Sequence, residues 1–298
     1  MTLRDPRFTG AFTAITTPFN DAATAIDYSR LDQQVAFQAT HGVKGVVIAG
    51  TTGESPTITE QELESLAGRA IDAAARGNML AILGTGSNST AHAVHLQKLA
   101  KQLGADGTLS VNPYYNKPTQ EGLYRHFMAV ADAAEVPIIL YNIPGRSGVA
   151  LAPRTVEKLG KHPNIVAVKE ATGSTDSATE IGQFAPQLAL LSGDDSMTLP
   201  FASIGAVGVV SVVSNILPAR VSALCAAFLA GQWPEALAIH RDMFEFCRTM
   251  FLETNPIPVK AAMKMLGRDS GSMRLPMCEP APATLAALRQ ALTAQQLL

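Results

Sequence analysis

The sequence predicts a (β/α)₈ barrel followed by a small helical domain. Eight short apolar runs recur along the chain, most of them separated by stretches with helical patterns. Runs that are apolar throughout are typical of strands buried on both faces, and strands that alternate with helices connect as right-handed βαβ units. Eight such units in about 230 residues match the usual size of a barrel, although a doubly wound open sheet also fits the pattern.

The predicted strands end at Asn215, and only helical patterns follow it. The eight runs are 12–19, 45–50, 80–86, 107–113, 137–144, 165–172, 188–195 and 207–215. Between the second and third runs, Thr59 and Glu62 form a capping box that predicts a helix start. We expect a catalytic barrel over residues 1–230 and a carboxy-terminal helical domain over residues 231–298.

Composition and charge exclude some classes of protein. The 298-residue chain is 47% hydrophobic and 16% charged, and its net charge of −2 gives no electrostatic reason to expect a nucleic acid or an anionic membrane as partner. The amino terminus lacks the apolar core of a signal peptide, and no segment reaches the roughly 18 apolar residues of a membrane span. Cys225, Cys247 and Cys278 lie far apart without metal-ligand spacing, so we interpret them as packing residues with reduced thiols in a cytoplasmic enzyme.

Reactive residues collect where the predicted strands end, which is where catalytic groups lie in barrels of this type. The motifs are GTTGE (50–54), NPYYNKP (112–118), YNIPGRSG (141–148), VKEATG (168–173) and SGDD (192–195). Three of the five tyrosines, Tyr114, Tyr115 and Tyr141, fall in these segments. This convergence predicts an active site at the carboxyl edge of the barrel.

Lys169 is the strongest candidate for a catalytic nucleophile, because it ends the apolar run IVAVK. Poor solvation lowers the pKa of a lysine and increases the population of nucleophilic amine, which adds to a ketone to form an imine. The structural alternative is a lysine that pairs with a carboxylate, for which Glu54, Asp194 and Asp195 are available. The neighbouring Glu170 is expected to point to the other face of the strand and receives no catalytic role.

Imine formation needs proton transfers, which hydroxyl groups can supply. Tyr141, Tyr115 and Thr51 are the candidates, although each could instead pack the mouth of the barrel. The GTTGE turn has backbone donors and threonine hydroxyls that could hold a small carboxylate. Arg146 could bind a second carboxylate in a bidentate manner, or could simply be solvated at the surface.

Two further patterns receive no functional interpretation. GTGSNS (84–89) is not a dinucleotide-binding loop, because Ser89 stands where the third glycine is required. His92 and His95 are three residues apart on a predicted helix, but no acidic cluster or third histidine accompanies them. We therefore expect an ordinary helix face and no metal site.

The motifs together resemble the dihydrodipicolinate synthase family. They are GTTGES, GTGSN, NPYYNKP, QEGLYRHF, YNIPGRSG, VKEATG, LLSGDD and NPIPVK, and the similarity extends from Phe8 to the final helices. The resemblance implies a lyase that condenses pyruvate with L-aspartate 4-semialdehyde on the route to diaminopimelate and lysine. It also implies a homotetramer of two tight dimers and no cofactor or catalytic metal.

The resemblance implies a role for individual positions. Lys169 matches the Schiff-base lysine and Tyr141 the proton donor and acceptor, while Thr51 and Tyr115 complete a proton relay in which Tyr115 crosses the tight dimer interface. The implied substrate-binding positions are Thr52, Val210, Gly193 and, for the carboxylate of the semialdehyde, Arg146.

A lysine-binding allosteric pocket is implied around Ser55, Asn88, His92 and Tyr114. Lysine-regulated relatives carry a histidine at the position of Leu63 and a glutamate at the position of His92. We therefore expect weak or absent inhibition by L-lysine.

Other functions remain open at this stage. The nearest is another pyruvate-dependent Schiff-base aldolase, such as an enzyme like N-acetylneuraminate lyase or a keto-deoxy-sugar aldolase, but Arg146 suits the semialdehyde better than a polyhydroxy sugar. A metal-dependent barrel aldolase lacks a ligand set in this sequence. A catalytically inactive scaffold protein is disfavoured because the candidate relay residues are all present.

Overall fold

A computed structural model describes residues 2–298 and contains a closed barrel of eight parallel strands in sequence order. The strands are β1 (Gly10–Ala14), β2 (Gly45–Ile48), β3 (Leu80–Gly84), β4 (Gly107–Val111), β5 (Ile138–Asn142), β6 (Ile165–Glu170), β7 (Ala189–Ser192) and β8 (Gly208–Ser211). Every residue of β1, β2, β5, β6, β7 and β8 is buried, as expected of strands covered on both faces. The predicted barrel is confirmed, and the open sheet is excluded.

Twelve helices accompany the strands in the described part of the chain. They are α1 (Tyr28–Ala39), α2 (Glu60–Arg76), α3 (Thr90–Leu103), α4 (Gln120–Ala133), α5 (Pro144–Ser147), α6 (Pro153–Leu159), α7 (Thr175–Phe184), α8 (Thr198–Ala202), α9 (Pro218–Leu229), α10 (Trp233–Thr249), α11 (Ile257–Met265) and α12 (Pro282–Ala294). The predicted capping box begins α2: the Thr59 hydroxyl accepts from the Glu62 amide at 3.2 Å, and Glu62 Oε2 accepts from the Thr59 amide at 3.0 Å. These bonds satisfy amide groups that a helix start leaves unpaired.

The chain divides into two compact units. The first unit contains Ile82–Val210 and the amino-terminal residues through Gly10, and the second contains Ala11–Ala81 and Ser211–Leu298. In the first unit, Phe127 of α4 belongs to a core cluster with strand residues such as Ile138 and Ile165. The separate helical domain predicted over residues 231–298 stays a prediction.

The second unit contains fully buried apolar side chains as well. Leu31 and Val35 of α1 are fully buried, as is Phe12 of β1. The pairing of β1 with β2 places Phe12 opposite Gly45, and a Cβ added to Gly45 would lie 3.0 Å from the Phe12 ring and 2.6 Å from the Leu80 carbonyl oxygen. The absence of a side chain at Gly45 therefore permits this close strand packing.

Two further sequence expectations concern the whole chain. Among residues 2–298, no helix is both long enough and apolar enough to span a membrane. Cys225 and Cys247 are buried, as predicted, but Cys278 is exposed, so its interpretation as a packing residue is wrong. Cys278 lies between α11 and α12, where no apolar periodicity existed to place it.

Candidate active site

Lys169 lies near the carboxyl end of β6 with only 5% of its surface exposed. Burial lowers the pKa of its ammonium group to about 7, because the charged form loses its hydration. The carboxylate of Asp195 opposes this shift, and the cation of Arg146 adds to it. The burial predicted from the apolar run is confirmed, and the lowered pKa favours the neutral amine of Lys169.

Tyr141 is an aromatic neighbour of that amine. Its Cα pairs with the Cα of Lys169 across β5 and β6, and its ring centre lies 3.9 Å from Lys169 Nζ. The Tyr141 side chain is itself buried, with 6% exposure. Two residues in register on neighbouring parallel strands project to the same face, so the pairing fixes this contact.

Gly193 follows β7 and packs against Lys169. Its amide donates to the Glu170 carbonyl oxygen at 2.8 Å. A Cβ at this position would lie 3.2 Å from Lys169 Cε and 2.6 Å from Ala171 Cβ. A side chain here would displace the aliphatic part of Lys169. The observed position of the Lys169 side chain therefore requires a glycine at residue 193.

Arg146 and Tyr115 lie on adjoining exposed segments of the first unit. Arg146 belongs to the one-turn helix α5 directly after β5, and its side chain is exposed. The Tyr115 amide donates to the Ser147 carbonyl oxygen at 3.2 Å, which ties its loop to α5. Tyr115 has a left-handed backbone with φ of 75° and a side chain that is 89% exposed. Such a conformation is uncommon for an aromatic residue and clusters at functional positions.

Glu170 and Asp194 have hydrogen-bond partners other than Lys169, whereas Asp195 interacts with it. Glu170 accepts from Asn142 Nδ2 at 2.9 Å and from the Thr172 amide at 2.8 Å, which satisfies a carboxyl whose pKa burial raises. Asp194 caps the next turn by accepting from the Ser196 amide at 2.9 Å. Asp195 acts on Lys169 through its charge.

The GTTGE turn lies in the second unit, between β2 and α2. Thr51 is partly buried and Thr52 is almost fully buried, and the Thr52 hydroxyl accepts from Asn255 Nδ2 at 3.0 Å. Glu54, which we considered as a partner for Lys169, is instead paired with Lys260 at 2.7 Å. Sequence reasoning missed Lys260 and Asn255 as neighbours of this turn, although both belong to the NPIPVK motif.

Other candidate substrate-binding and allosteric residues lie in β8 and in the loops and turns that follow strands. Val210 is buried in β8, and Ser55 is exposed at the start of a short 3₁₀ turn after GTTGE. Asn88 and Tyr114 belong to adjoining loops, because Asn116 Nδ2 donates to the Asn88 carbonyl oxygen at 2.9 Å. Tyr114 is 40% exposed.

His92 is exposed on α3 and stacks on His95, with 6.2 Å between the ring centres. Within residues 2–298, no three His, Cys, Asp or Glu side chains are grouped as a metal ion would require. The pair therefore forms part of an exposed helix face.

A parallel barrel that buries a lysine amine against a tyrosine at adjacent strand ends defines a class of enzyme suited to imine chemistry. The model of the dihydrodipicolinate synthetase family matches residues 7–295. The chain belongs to this family, and the predictions of the family and of a lyase on a barrel are confirmed.

Individual relatives agree with this placement. The chain is 47% identical to the 4-hydroxy-tetrahydrodipicolinate synthase of a Synechococcus strain over 292 residues, which cover 98% of this chain and 95% of that protein. The crystal structure of the Cyanidioschyzon merolae enzyme with lysine bound has a TM-score of 0.96 and 41% identity, covering 99% of this chain and 100% of the other. A monomeric dihydrodipicolinate synthase variant has a TM-score of 0.95 and 37% identity, covering 98% of both chains.

Proposed function

We propose that this chain condenses pyruvate with L-aspartate 4-semialdehyde to 4-hydroxy-tetrahydrodipicolinate, in the synthesis of diaminopimelate and lysine. The observation that carries the proposal is the buried Lys169 amine, whose pKa is lowered to about 7. A neutral amine is required to attack a ketone, and an ordinary lysine provides very little of it at neutral pH.

Lys169 is the covalent catalyst in this proposal. Its nitrogen lone pair attacks the C2 carbonyl carbon of pyruvate, the ketone oxygen receives a proton, and loss of water leaves an imine. Loss of a proton from C3 then gives an enamine, whose C3 attacks the aldehyde carbon, forms the new carbon–carbon bond and regenerates the imine, while the aldehyde oxygen takes a proton. The amino group of the semialdehyde then adds to the imine carbon, closes the ring and displaces the Lys169 amine, which takes up a proton as it leaves. The imine acts as the electron sink that makes C3 nucleophilic.

Tyr141, Thr51 and Tyr115 are proposed to carry the protons. Tyr141 is supported by its ring, which lies 3.9 Å from Lys169 Nζ. Thr51 is supported by its place in the turn after β2, and Tyr115 by its strained, exposed position beside α5. A hydroxyl that both donates and accepts can take the proton of the attacking amine and return it to the departing oxygen.

The substrate carboxylates are proposed to bind at two places. Thr52 and the amides of the GTTGE turn would hold the carboxylate of pyruvate, and Gly193 and Val210 would contribute to the same substrate-binding site. Arg146 would hold the carboxylate of the semialdehyde. Its exposed guanidinium is suited to a bidentate pairing, and it is close enough to influence the Lys169 pKa.

We also propose a homotetramer built from two tight dimers, in the cytoplasm. The adjacent Tyr114 and Tyr115 are 40% and 89% exposed, and this pair supports a partner subunit at the loop, because tyrosine is enriched at protein interfaces. Three free cysteines are compatible with a reducing compartment.

The test is incubation with pyruvate and borohydride, followed by assays with a panel of aldehydes. We expect a reduced pyruvate adduct on Lys169, and pyruvate consumption that is fastest with L-aspartate 4-semialdehyde. Lys169→Ala should form no adduct, and Lys117→Ala, which removes an exposed lysine, is the control. An adduct on another lysine would refute the mechanism, and faster consumption with N-acetylmannosamine or a sugar aldehyde would favour another aldolase of this type.

A further inference from the structure

A buried ion pair connects the GTTGE turn to helix α11. Lys260 Nζ lies 2.7 Å from Glu54 Oε1, and the two side chains are 0% and 2% exposed. Removing two charges from water is costly, and a pair of this kind is retained only when its geometry is good and the remaining polar atoms are satisfied.

The remaining polar atoms of this pair are satisfied by the backbone. Lys260 Nζ also donates to the Thr17 carbonyl oxygen at 2.9 Å, and Glu54 Oε2 accepts from the Arg274 amide at 3.1 Å. The ring of Phe19 lies 4.5 Å from the Lys260 ammonium and 4.5 Å from the Arg274 guanidinium. Lys260 therefore binds two separate segments, the loop after β1 and the turn after β2, from a single helix.

The turn needs this support because its backbone is strained. Glu54 has a φ of 54°, a left-handed conformation that is unfavourable for a residue with a side chain. Ala49, at the start of the same turn, has a φ of 51°. Strained residues of this kind persist only where the surrounding structure holds them.

Two more bonds hold the residues between Ala49 and Glu54. Thr17 Oγ1 donates to the Gly53 carbonyl oxygen at 2.7 Å, and Asn255 Nδ2 donates to the Thr52 hydroxyl at 3.0 Å. Asn255 lies two residues before α11, in the same NPIPVK motif as Lys260. The NPIPVK motif therefore contacts the turn at two residues. Asn255 binds Thr52 directly, and Lys260 binds Glu54 through the ion pair.

We propose that Lys260 and Asn255 are positioning residues that hold the GTTGE turn in the conformation that binds the pyruvate carboxylate. This inference rests on the proposed function, in which Thr52 and the turn amides receive that carboxylate. Lys260 acts through Glu54 and Asn255 acts through Thr52, so their effect falls on pyruvate capture. The addition of the aldehyde follows covalent attachment of pyruvate, which holds that substrate in place without the turn.

The experiment compares the two half-reactions in Lys260→Met, Asn255→Ala and the double variant Glu54→Gln/Lys260→Met. The pyruvate concentration that half-saturates adduct formation under borohydride is measured without aldehyde, and kcat/KM for the semialdehyde is measured at saturating pyruvate. We expect the half-saturating pyruvate concentration to rise by about 10-fold or more, the scale of a lost hydrogen bond to a charged group, and kcat/KM for the semialdehyde to change by less than about 3-fold. Lys264→Met, on the exposed face of the same helix, is the matched control.

Thermal unfolding separates positioning from stability. Lys260→Met leaves the Glu54 carboxylate buried without its cation and is expected to lower the melting temperature, whereas the double variant removes both charges and should recover much of it. The positioning role predicts that pyruvate capture stays weak in the double variant despite the recovery. Equal losses in both half-reactions, or normal pyruvate capture in Asn255→Ala and the double variant, would overturn the inference. The wild-type adduct on Lys169 tests the proposed function separately, and its absence would overturn both proposals.

Discussion

Tyr141 and Lys169 are direct register partners on β5 and β6, and the Lys169 nitrogen lies 3.9 Å from the centre of the Tyr141 ring. Parallel strands fix both residues to the same face of the sheet at the same height. The contact therefore depends on rigid backbone pairing, which favours a precise site. It also places an aromatic face beside an amine that has lost most of its hydration.

The pH dependence of imine formation tests the state of Lys169. Because its pKa is lowered to about 7, the amine fraction rises as the pH rises through 7. We expect the initial rate of adduct trapping at subsaturating pyruvate to be half-maximal near pH 7 and to level off above it. A rate that continues to rise toward pH 10 would indicate an ordinary, solvated lysine. Pyruvate itself is ionised throughout this range, so it adds no transition.

Two substitutions of Arg146 separate its charge from its shape. Arg146→Ala removes a cation that lowers the Lys169 pKa, so the midpoint of the trapping profile should move to higher pH. Arg146→Lys keeps a cation and should leave the midpoint near its original value. Both variants lose the bidentate pairing with the semialdehyde, so kcat/KM for that substrate should fall by about 10-fold or more in each. An unchanged kcat/KM in Arg146→Ala would show that Arg146 does not bind the aldehyde.

Tyr141→Phe and Tyr115→Phe test the proton relay. Each removes one hydroxyl and keeps the ring, so turnover should fall by about 10²–10⁴-fold, the usual range for general acid–base groups. Tyr124→Phe, on the partly buried face of α4, is the control and should keep full turnover.

Mixed dimers test whether Tyr115 serves the partner subunit. Tyr115→Phe and Lys169→Ala subunits should each be nearly inactive alone, but a hybrid in which Tyr115 crosses the interface would combine an intact lysine with an intact tyrosine at one of its two sites. We expect recovered activity in the hybrid. Hybrids as inactive as their parents would indicate that Tyr115 acts within its own subunit.

Burying Lys169 should make the folded protein less stable at neutral pH. Its pKa is 10.5 in an unfolded chain and about 7 in the folded protein, so between these pH values the unfolded chain binds more protons. The free energy of unfolding therefore rises with pH across this window. As the pH falls from 10.5 to 7, the burial of Lys169 lowers this free energy progressively, and below pH 7 the loss is full. Lys169→Met should raise the melting temperature by several degrees at pH 7, with a gain that shrinks toward pH 10. Lys161→Met, at an exposed lysine, is the control and should give no pH-dependent difference.

The barrel was predictable from the sequence because its strands are apolar throughout. β6 illustrates this: IVAVKE is buried along its whole length, and its lysine stood out because the run around it contained so little else that was polar. The catalytic edge followed from the same reasoning, since parallel strands bring their carboxyl ends together. Tyr141 was predicted at a neighbouring strand end in this way, and its ring centre lies 3.9 Å from Lys169 Nζ. The role of Gly193 came instead from the family resemblance.

The support beneath the GTTGE turn was not predictable in the same way. Glu54 and Lys260 are 206 positions apart, so no local pattern connects them. A signal was present, because Lys260 stands in an otherwise apolar stretch, IPVKAAM, where a lysine requires a buried partner. The identity of that partner depends on tertiary packing. The same limit applies to Tyr115, because its sequence neighbours specify neither its left-handed backbone nor its 89% exposure.

Inhibition by L-lysine should be weak or absent, because the residues at positions 63 and 92 differ from those of lysine-regulated relatives. The Cyanidioschyzon merolae relative was crystallised with lysine bound. The pocket that the family resemblance implies has His92 where regulated relatives carry a glutamate, and Leu63 where they carry a histidine. His92 is the third residue of α3 and exposed, and Leu63 is partly buried on α2.

The loss of that glutamate sets the expected magnitude. A carboxylate facing the ammonium of lysine forms a charge-assisted hydrogen bond worth about 1.5–3 kcal/mol, or about 10–150-fold in affinity. Glu60, three residues before Leu63, is the acidic residue available to compensate. The measurement is the initial rate against lysine concentration at saturating pyruvate, for the wild type and for His92→Glu. We expect little inhibition of the wild type below about 1 mM, the scale of ordinary metabolite binding, and inhibition at least about 10-fold tighter in His92→Glu.

His95→Glu adds the same charge one turn along α3 and should leave the inhibition unchanged. Sub-millimolar inhibition of the wild type, or an equal gain in both variants, would show that His92 does not determine lysine binding.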